Sequence, residues 1–263
     1  MFLPTTREEL GHLGWDTLDI ILVTGDAYID SPHIGIAVVG KALVKAGFRV
    51  GIIGQPDTKT SADITRLGEP TLFWGISGGS IDSLVANYTA LKKRRKSDDY
   101  TPGGDNNRRP DRAAISYANL VRQYAVEKRP IVLGGIEASM RRVAHYDFWS
   151  DSIRRSLLFD AKADVLVYGM GEYPVVELAR RMSRGSDYRD MRGICYIAKD
   201  QPEGAIDLAS FEEVSADPQA FTGMFHLFYR NNDPLCGARM SQKHGNRFLV
   251  HNPPWPVLTE PEL

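Results

Sequence analysis

Five short apolar runs in this chain each end at a glycine. The runs are IILVTG, VGIIG, TLFWG, PIVLGG and DVLVYG, and they close at Gly25, Gly54, Gly75, Gly135 and Gly169. Short apolar runs separated by segments of helical periodicity are typical of buried parallel strands in a βαβ array. The pattern predicts an α/β fold with a doubly wound, mostly parallel, Rossmann-like sheet of five strands over roughly residues 15–200. We place one domain at residues 1–200 and an irregular carboxyl-terminal extension or linker at residues 201–263.

Composition limits the class of protein. The chain has 263 residues, of which 43% are hydrophobic and 25% charged, so it can form one large globular domain. Its formal net charge of -1 is not that of a globally basic protein, and we do not expect nucleic acid as a partner. The amino terminus lacks the pattern of a secretory signal, and no apolar run approaches the roughly 20 residues of a membrane helix. We expect a cytoplasmic protein without membrane contact.

The chain has only two cysteines, Cys195 and Cys236. Two are too few for a disulfide framework, and alone they cannot hold zinc or an iron–sulfur cluster. Cys195 lies in an apolar run that resembles a strand, so we expect it to be a small buried side chain.

The loop after the first predicted strand, residues 25–35, is the richest candidate site. Its backbone and side chains lie between a strand end and a helix start, where free N–H groups favour anions such as phosphate. Tyr28 and His33 could add stacking or ligation. In the alternative, Asp30 or Ser31 only caps the helix and His33 is solvated. The candidate residues here are Asp26, Tyr28, Asp30, His33 and Gly35.

Three further loops follow predicted strands. Amides of the turn GISGGS could hold a phosphate or a cofactor edge, although the turn could also be only a tight connection. GGIEASMRR combines glycines, a carboxylate and Arg141–Arg142, which could bind an anion or form salt bridges with Asp147, Asp151 or Glu172. VYGMGE ends in a carboxylate that could instead cap the next helix. The candidate residues in these loops are Gly78, Gly79, Gly134, Gly135, Glu137, Gly169, Gly171 and Glu172.

The least apolar stretch runs from residue 92 to residue 114 and contains KKRRK. Aspartates interrupt its positive charge, which favours a solvated, mobile loop over a binding surface. Helices are predicted over residues 34–48, 115–127, 148–161 and 173–182. A helical piece is predicted between residues 207 and 234, and a strand near residue 247 that runs into a proline-rich tail.

Longer segments resemble a known family. FLPTTREEL, GWDTLDIILVTGDAYIDSPHIGIAVVG, AGFRVGIIGQPD, FWGISGGSIDSLVANYT, VLGGIEASMRRVAHYDFWSD and DVLVYGMGE follow one another in this order. Together they resemble the amino-terminal region of the YgiQ-type radical SAM proteins. The later segment PLCGARMSQKHGNRFLVHNPPWPVLTEPEL resembles the stretch that leads into that family's catalytic domain. The resemblance covers nearly the whole chain.

The resemblance implies a cobalamin-binding-like Rossmann domain ahead of a radical SAM barrel. That barrel would hold a [4Fe-4S] cluster on a Cys-x3-Cys-x2-Cys motif and would cleave S-adenosylmethionine. The motif is absent here, so we expect the barrel in the same gene or in a separate chain, and no catalysis by this chain alone.

Cobalamin is a further cofactor that the resemblance suggests. The cobalamin signature of methyltransferase-type domains is Asp-x-His-x-x-Gly, in which the histidine binds cobalt. The comparable loop here is Asp30-Ser-Pro-His33-Ile-Gly35, with the histidine one position later. The shift weakens His33 as a cobalt ligand and leaves cobalamin binding open.

These observations predict a domain that positions a cofactor or a small-molecule substrate over the mouth of a radical SAM barrel. The loops that would do so are 25–35, 75–80, 134–142 and 169–172. No catalytic residue and no protein-held metal are predicted within the chain. The alternative is a stand-alone module that binds a nucleotide, a phosphate or cobalamin without catalysis, and a third function is contact of the basic segment with RNA.

Overall fold

The computed structural model describes residues 2–259, which form a nine-stranded sheet, a separate two-stranded ribbon and nine α-helices. The strands are β1 Leu18–Thr24, β2 Val50–Gly54, β3 Pro70–Ser77, β4 Ile131–Gly134, β5 His145–Asp147, β6 Ser152–Arg154, β7 Val165–Val167, β8 Ile194–Ala198, β9 Ile206–Leu208, β10 Met240–His244 and β11 Arg247–His251. The helices are α1 Arg7–His12, α2 Gly35–Lys45, α3 Ser83–Asn87, α4 Ala113–Tyr124, α5 Gly135–Met140, α6 Leu157–Asp160, α7 Glu172–Ser183, α8 Phe211–Ala216 and α9 Pro218–Arg230.

The five apolar runs form five neighbouring parallel strands, in the order β2-β1-β3-β4-β7. The predicted α/β fold with a mostly parallel sheet is thus confirmed. This order is that of the flavodoxin-like doubly wound fold, in which the order of the strands reverses between β1 and β3. Ligands of such sheets bind beyond the carboxyl ends of the strands at that switch point.

The parallel strands are buried on both faces, and each face has its own core. Ile20 and Leu22 of β1 pack under α2 and α7, whereas Ile21 and Val23 pack under α4. Side chains alternate between the faces of a strand, so an unbroken apolar run supplies both cores. The two layers of helices leave the carboxyl ends of the strands as the free edge.

The region after residue 200 is not irregular. It supplies α8, α9 and the strands β9, β10 and β11, and β11 pairs antiparallel with β8 and thereby extends the same sheet. The connection between β10 and β11 is a two-residue turn, Gly245–Asn246, with Gly245 at a φ of +61°. Glycine followed by asparagine between two strands is a hairpin signal.

Two other local predictions differ from the structure. Residues 148–161, predicted to be one helix, contain strand β6 and the single helical turn α6. The basic segment, predicted to be a mobile loop, is folded against the domain, because Asp98, Asn106 and Arg109 are buried within it. Residues 252–259 have no regular secondary structure, and the rest of the predicted proline-rich tail, 260–263, lies outside the described residues.

Two histidines, His244 and His251, are buried in the half of the sheet that β8 to β11 form. His244 stacks between Phe159 and Phe211 at centroid distances of 4.5 and 5.6 Å. Burial lowers the pKa of His244 from 6.5 to about 4, because the imidazolium would lose its hydration. His251 is fully buried beside Arg142, and burial lowers its pKa well below the usual value. Both rings are therefore neutral at pH 7 in the folded chain.

The two cysteines differ in their exposure. Cys195 is fully buried, as predicted, and burial raises the pKa of its thiol to about 12, while Cys236 is exposed. Among residues 2–259, no helix has both the length and the apolar character needed to cross a bilayer.

Candidate functional site

A cavity of about 390 Å³ lies at the carboxyl ends of β1, β3, β4 and β7. It is bounded by the first residues of α2, α5 and α7, and its floor is apolar, with Leu22, Phe73 and Val132 among its lining residues. Its volume lies within the range of roughly 300–1,000 Å³ typical of small-molecule sites. Its place at the switch point is where the sheet topology predicts a ligand.

The structure brings together residues from all four predicted loops. Those that line the cavity are Asp26, His33, Gly35, Gly79, Gly134, Gly135, Gly169, Gly171 and Glu172. The remaining four candidates, Tyr28, Asp30, Gly78 and Glu137, are not among the lining residues. Their contacts explain their places.

Tyr28 and Asp30 hold the loop that precedes α2. The Tyr28 hydroxyl accepts a hydrogen bond from the Leu3 N–H at 3.1 Å. Asp30 forms an ion pair with Lys41 at 2.5 Å. Neither Asp30 nor Ser31 caps α2, contrary to the alternative considered from sequence, because the N-cap position is Ile34. His33 is exposed at the edge of the cavity.

Glu137 is buried and joins two helix starts behind the cavity wall. Its carboxylate accepts hydrogen bonds from the N–H groups of Ser83 at 2.9 Å and Ala114 at 3.2 Å. A side chain at Gly78 would overlap this carboxylate. Glu137 and Gly78 thus shape the wall without facing the cavity.

Three helices begin at the cavity without a side-chain cap. The N-cap residues are Ile34 for α2, Gly134 for α5 and Gly171 for α7, and none of them provides a capping hydrogen bond. Glu172 is the first residue of α7, as the sequence suggested, and its charge lies in the first turn where it suits the helix dipole, while the N-cap position is Gly171. The first N–H groups of a helix need acceptors. At this cavity a ligand can supply them.

A buried arginine, Arg109, supports the polar wall of the cavity, and it is not among the site residues predicted from the sequence. The Arg109 guanidinium lies 2.7 Å from the Asp26 carboxylate and 3.2 Å from that of Asp98, and all three side chains are almost wholly buried. Arg109 also donates a hydrogen bond to the Gly78 carbonyl at 2.9 Å. Arg109 lies far along the chain from Asp26 in a polar stretch, so no local pattern identifies it.

The turn at Gly78–Gly79 fits tightly over this ion pair. Asp26 accepts a hydrogen bond from the Ser80 N–H at 2.6 Å. Gly79 has a φ of +114°, and a Cβ at this residue would overlap the Asp26 carboxylate and the Arg109 guanidinium. Glycine is required here both for its backbone conformation and for the close approach.

The arginine pair after β4 does not reach the cavity. Arg141 forms an ion pair with Asp82, and not with the aspartates or the glutamate that the sequence suggested. Arg142 donates to His251 at 3.0 Å and to Asn232 at 2.9 Å. Its guanidinium lies over the rings of Tyr168 and Phe228, 4.6 and 4.8 Å from their centroids. Both arginines hold elements together.

Two exposed apolar side chains line the cavity, and two more follow them closely in the sequence. Ile136 and Met170 line the cavity and are about half exposed, at 44% and 50%. Met140 lies one helical turn after Ile136, and Tyr173 lies three residues after Met170. Both side chains are also exposed. We call these four residues the apolar collar. Clustered exposed apolar side chains at a pocket are typical of a surface that another molecule covers.

Comparison with known protein families shows to which family the chain belongs. Residues 2–263 match the family described as Radical SAM N-terminal. The chain belongs to the radical SAM N-terminal family.

Curated relatives of this radical SAM N-terminal chain are UPF0313 proteins. The chain is 52% identical over 266 residues to one from Thermotoga petrophila and 50% identical over 254 residues to one from Fusobacterium nucleatum. These alignments cover 100% and 96% of the chain but 47% and 45% of the relatives. The chain therefore spans about half the length of the curated relatives it matches.

The solved structures that resemble this radical SAM N-terminal chain include TsrM from Kitasatospora setae, a radical S-adenosylmethionine methyltransferase. One structure of TsrM has tryptophan and a SAM analogue bound, with a TM-score of 0.45 and 19% identity over 68% of this chain and 28% of TsrM. Another has cobalamin and a [4Fe-4S] cluster bound, with a TM-score of 0.47 and 18% identity over 68% of this chain and 27% of TsrM.

The radical SAM N-terminal chain offers its cavity little metal chemistry of its own. Within residues 2–259 no group of three His, Cys, Asp or Glu side chains is placed to hold a metal ion. What the site does offer is an apolar floor, uncapped helix starts and a carboxylate fixed by Arg109. These features can bind and orient an organic molecule.

Proposed function

We propose that this chain is the amino-terminal region of a YgiQ-type radical SAM enzyme and that its cavity positions a cofactor or substrate for a catalytic barrel. The observation that carries the proposal is the open cavity at the switch point of the sheet, lined by four strand ends and three helix starts. The barrel with its [4Fe-4S] cluster and S-adenosylmethionine would correspond to the half of the relatives that the chain does not span.

The path of the chain end supports a barrel over the cavity opening. A Cβ at Gly193 would meet the side chains of both Trp255 and Pro174, so both residues border Gly193, and Pro174 is in the first turn of α7. Arg192 fixes this path by donating a hydrogen bond to the Pro254 carbonyl at 2.8 Å. Residues 254 and 255 therefore lie near the helix start that borders the cavity. A domain attached there would lie against the apolar collar and exclude water from the cavity.

The residues present fit the implied cofactors unequally. The cluster does not fit this chain, because one of its two cysteines is buried and the other stands alone. Cobalamin fits in part: the cavity could hold an organic portion of it, and His33 is an exposed imidazole at the edge. Asp30, however, is paired with Lys41 and not with His33. When bound, cobalamin would supply a cobalt centre able to exchange electrons or alkyl groups.

The role of the chain's own residues follows from their geometry. The N–H groups at the starts of α2 and α7 would bind acceptor groups of the ligand, and the apolar floor would hold its carbon framework. The Arg109–Asp26 pair would keep the turn at Gly79 in place against it. These residues bind and orient the ligand.

A cavity-filling variant tests the proposal. Gly35 lines the cavity and a Cβ there meets no atom within 4 Å, so Gly35→Phe adds a ring beside the cavity from an unobstructed Cβ. Gly223→Phe, on α9 and equally unobstructed, is the matched control. Thermal unfolding and visible spectra would be recorded with hydroxocobalamin, S-adenosylmethionine and ATP.

We expect one of these ligands to stabilise the parent chain and the control but not Gly35→Phe. A ligand present at 100 times its Kd should add about 2.7 kcal/mol to the free energy of unfolding. Equal stabilisation of all three proteins would place the ligand elsewhere. No stabilisation by any ligand, in this chain and in a full-length relative, would overturn the proposal.

A second candidate function is supported by the uncapped starts of α2 and α7. Two long helices directed at one cavity favour an anion, so a stand-alone nucleotide- or phosphate-binding module remains the alternative. Stabilisation by ATP and by inorganic phosphate, without a response to cobalamin or S-adenosylmethionine, would favour this alternative.

A further inference from the structure

The basic segment is an ordered part of the surface. One isolated β-bridge joins Arg94 to Tyr88 in the preceding segment, and another joins Ser97 to Asp105, so residues 97–105 fold back on themselves. The Asn106 side chain donates hydrogen bonds to the carbonyls of Asn87 at 3.2 Å and Arg95 at 3.1 Å. We call residues 92–108 the cationic hairpin. Because it is already folded, a partner that binds it does not have to pay the entropy of ordering it.

The cationic hairpin has six exposed basic side chains, and among the described residues none of them forms an ion pair. Three donate to backbone carbonyls, which do not neutralise their charge, and the other three make no side-chain hydrogen bond within residues 2–259. The first group is Lys92, Arg94 and Arg95, and the second is Lys93, Lys96 and Arg108.

Acidic groups offset only part of this charge. The exposed carboxylates in and beside the hairpin are Asp99, Asp105 and Asp111, so six cations face three anions. Asp98 is buried and is used by Arg109. The hairpin surface is therefore positive by three charges on a chain whose formal net charge is -1.

Aromatic rings lie beside these cations. The Lys92 ammonium is 5.2 Å from the centroid of the Phe148 ring, and Phe148 is 48% exposed. Trp149 lies 4.3 Å from Tyr88, ring to ring, and the Arg94 guanidinium is over Tyr88. Of these rings Phe148 is exposed, and Tyr88 and Trp149 are half-buried. Rings beside Lys and Arg are typical of surfaces that bind single-stranded nucleic acid, since the rings stack on bases and the cations contact the phosphates.

We propose that the cationic hairpin and the rings of Phe148 and Trp149 bind single-stranded nucleic acid, RNA or DNA. The aromatic residues favour this partner over an acidic protein, whose carboxylates need only the cations. The hairpin is attached to the cavity wall, because Arg109 binds Asp26 and the Ala27 N–H donates to the Tyr100 carbonyl at 2.9 Å. A bound strand would therefore run close to the edge of the sheet where the cavity opens. This surface is independent of what the cavity holds.

The full chain would be titrated into fluorescently labelled oligo-U RNA and oligo-dT DNA of about 20 nucleotides, longer than the roughly 4–16 nucleotides of a typical single-strand site. Anisotropy would be followed between low and physiological salt. The test variant is Lys93→Gln/Lys96→Gln/Arg108→Gln, which removes three cations without losing a described side-chain contact. The control Lys128→Gln/Arg184→Gln/Lys199→Gln removes the same charge from other exposed positions.

We expect the parent chain and the control to bind alike and the test variant to bind at least about ten-fold more weakly at low salt. The slope of log K against log salt should be about 2 units shallower for the test variant, since each phosphate contact contributes roughly 0.7 for single strands. Phe148→Ala should weaken binding about ten-fold with no change in that slope. A preference between the two oligomers would identify the kind of nucleic acid.

Three results would overturn the proposal. The first is no binding of either oligomer at low salt. The second is equal weakening by the test variant and the control, which would mean that only total charge matters. The third is an unchanged affinity in Phe148→Ala together with equal binding of polyglutamate, which would identify the hairpin as a site for acidic protein.

Discussion

Removal of the Arg109 guanidinium should destabilise the chain more than any other single charge change we can identify. In Arg109→Met, the Asp26 and Asp98 carboxylates stay buried without a counterion, and the Gly78 carbonyl loses its donor. Breaking a buried ion pair by removing one partner costs about 3–5 kcal/mol. A typical domain has about 5–15 kcal/mol of stability, so the variant should fold but with a much lower urea midpoint.

Arg108→Met is the matched control, because Arg108 is the preceding residue and is exposed. Arg108→Met should change the free energy of unfolding by no more than about 0.5 kcal/mol, as most surface substitutions do. Urea unfolding followed by circular dichroism would give both free energies. The addition of Asp98→Asn to Arg109→Met should recover part of the loss, because one unpaired carboxylate is then removed, with a coupling of about 0.5–3 kcal/mol.

The reasoning would be refuted if the free energy of unfolding fell in Arg109→Met by an amount within about 1 kcal/mol of the fall in Arg108→Met. So would a double variant whose loss is the plain sum of the two single losses. Either result would mean that water reaches the three charged groups in solution.

Three further predictions follow from single residues. Gly79→Ala should lose at least about 1–3 kcal/mol from its φ of +114° and its overlap with the ion pair, whereas Gly35→Ala should be neutral; equal urea midpoints would contradict this. The folded pKa of His244, about 4, lies below the unfolded 6.5, so its stabilising effect is complete above pH 6.5 and is lost as the pH falls towards 4. His244→Phe should remove up to about 1.4 kcal/mol per pH unit of this dependence, and an unchanged pH profile would exclude the effect. A thiol reagent should modify Cys236 and leave buried Cys195 intact until urea is added, so two fast-reacting thiols in the native chain would contradict its burial.

Local patterns predicted the parallel half of the fold well. The apolar runs gave β1, β2, β3, β4 and β7, since a strand buried on both faces must be apolar throughout. The Pro174 position predicted the start of α7. Sequence patterns gave wrong predictions for segments whose secondary structure is decided by contacts with neighbouring segments of the fold. The six residues of β5 and β6, centred on Tyr146 and Ile153, carry no helix-breaking signal, and their pairing with each other makes them strands.

The candidate site shows the same division. Because parallel strands point the same way, the sequence alone brought the glycines after β1, β3, β4 and β7 to one edge. It could not show that Glu137 faces away from the cavity, or that the uncapped helix starts face it.

The sequence by itself determined the strands, their common direction and therefore the edge at which a ligand can bind, because these depend on the period of side chains along a few residues. Only the tertiary structure decided which charges are paired. Arg109 was one of several cations in a polar stretch until folding placed it between Asp26 and Asp98. Its neighbours in the cationic hairpin kept their charge exposed, because within residues 2–259 no carboxylate lies near enough to form an ion pair with them. Such pairing depends on distances between residues far apart in the chain, which no local pattern records.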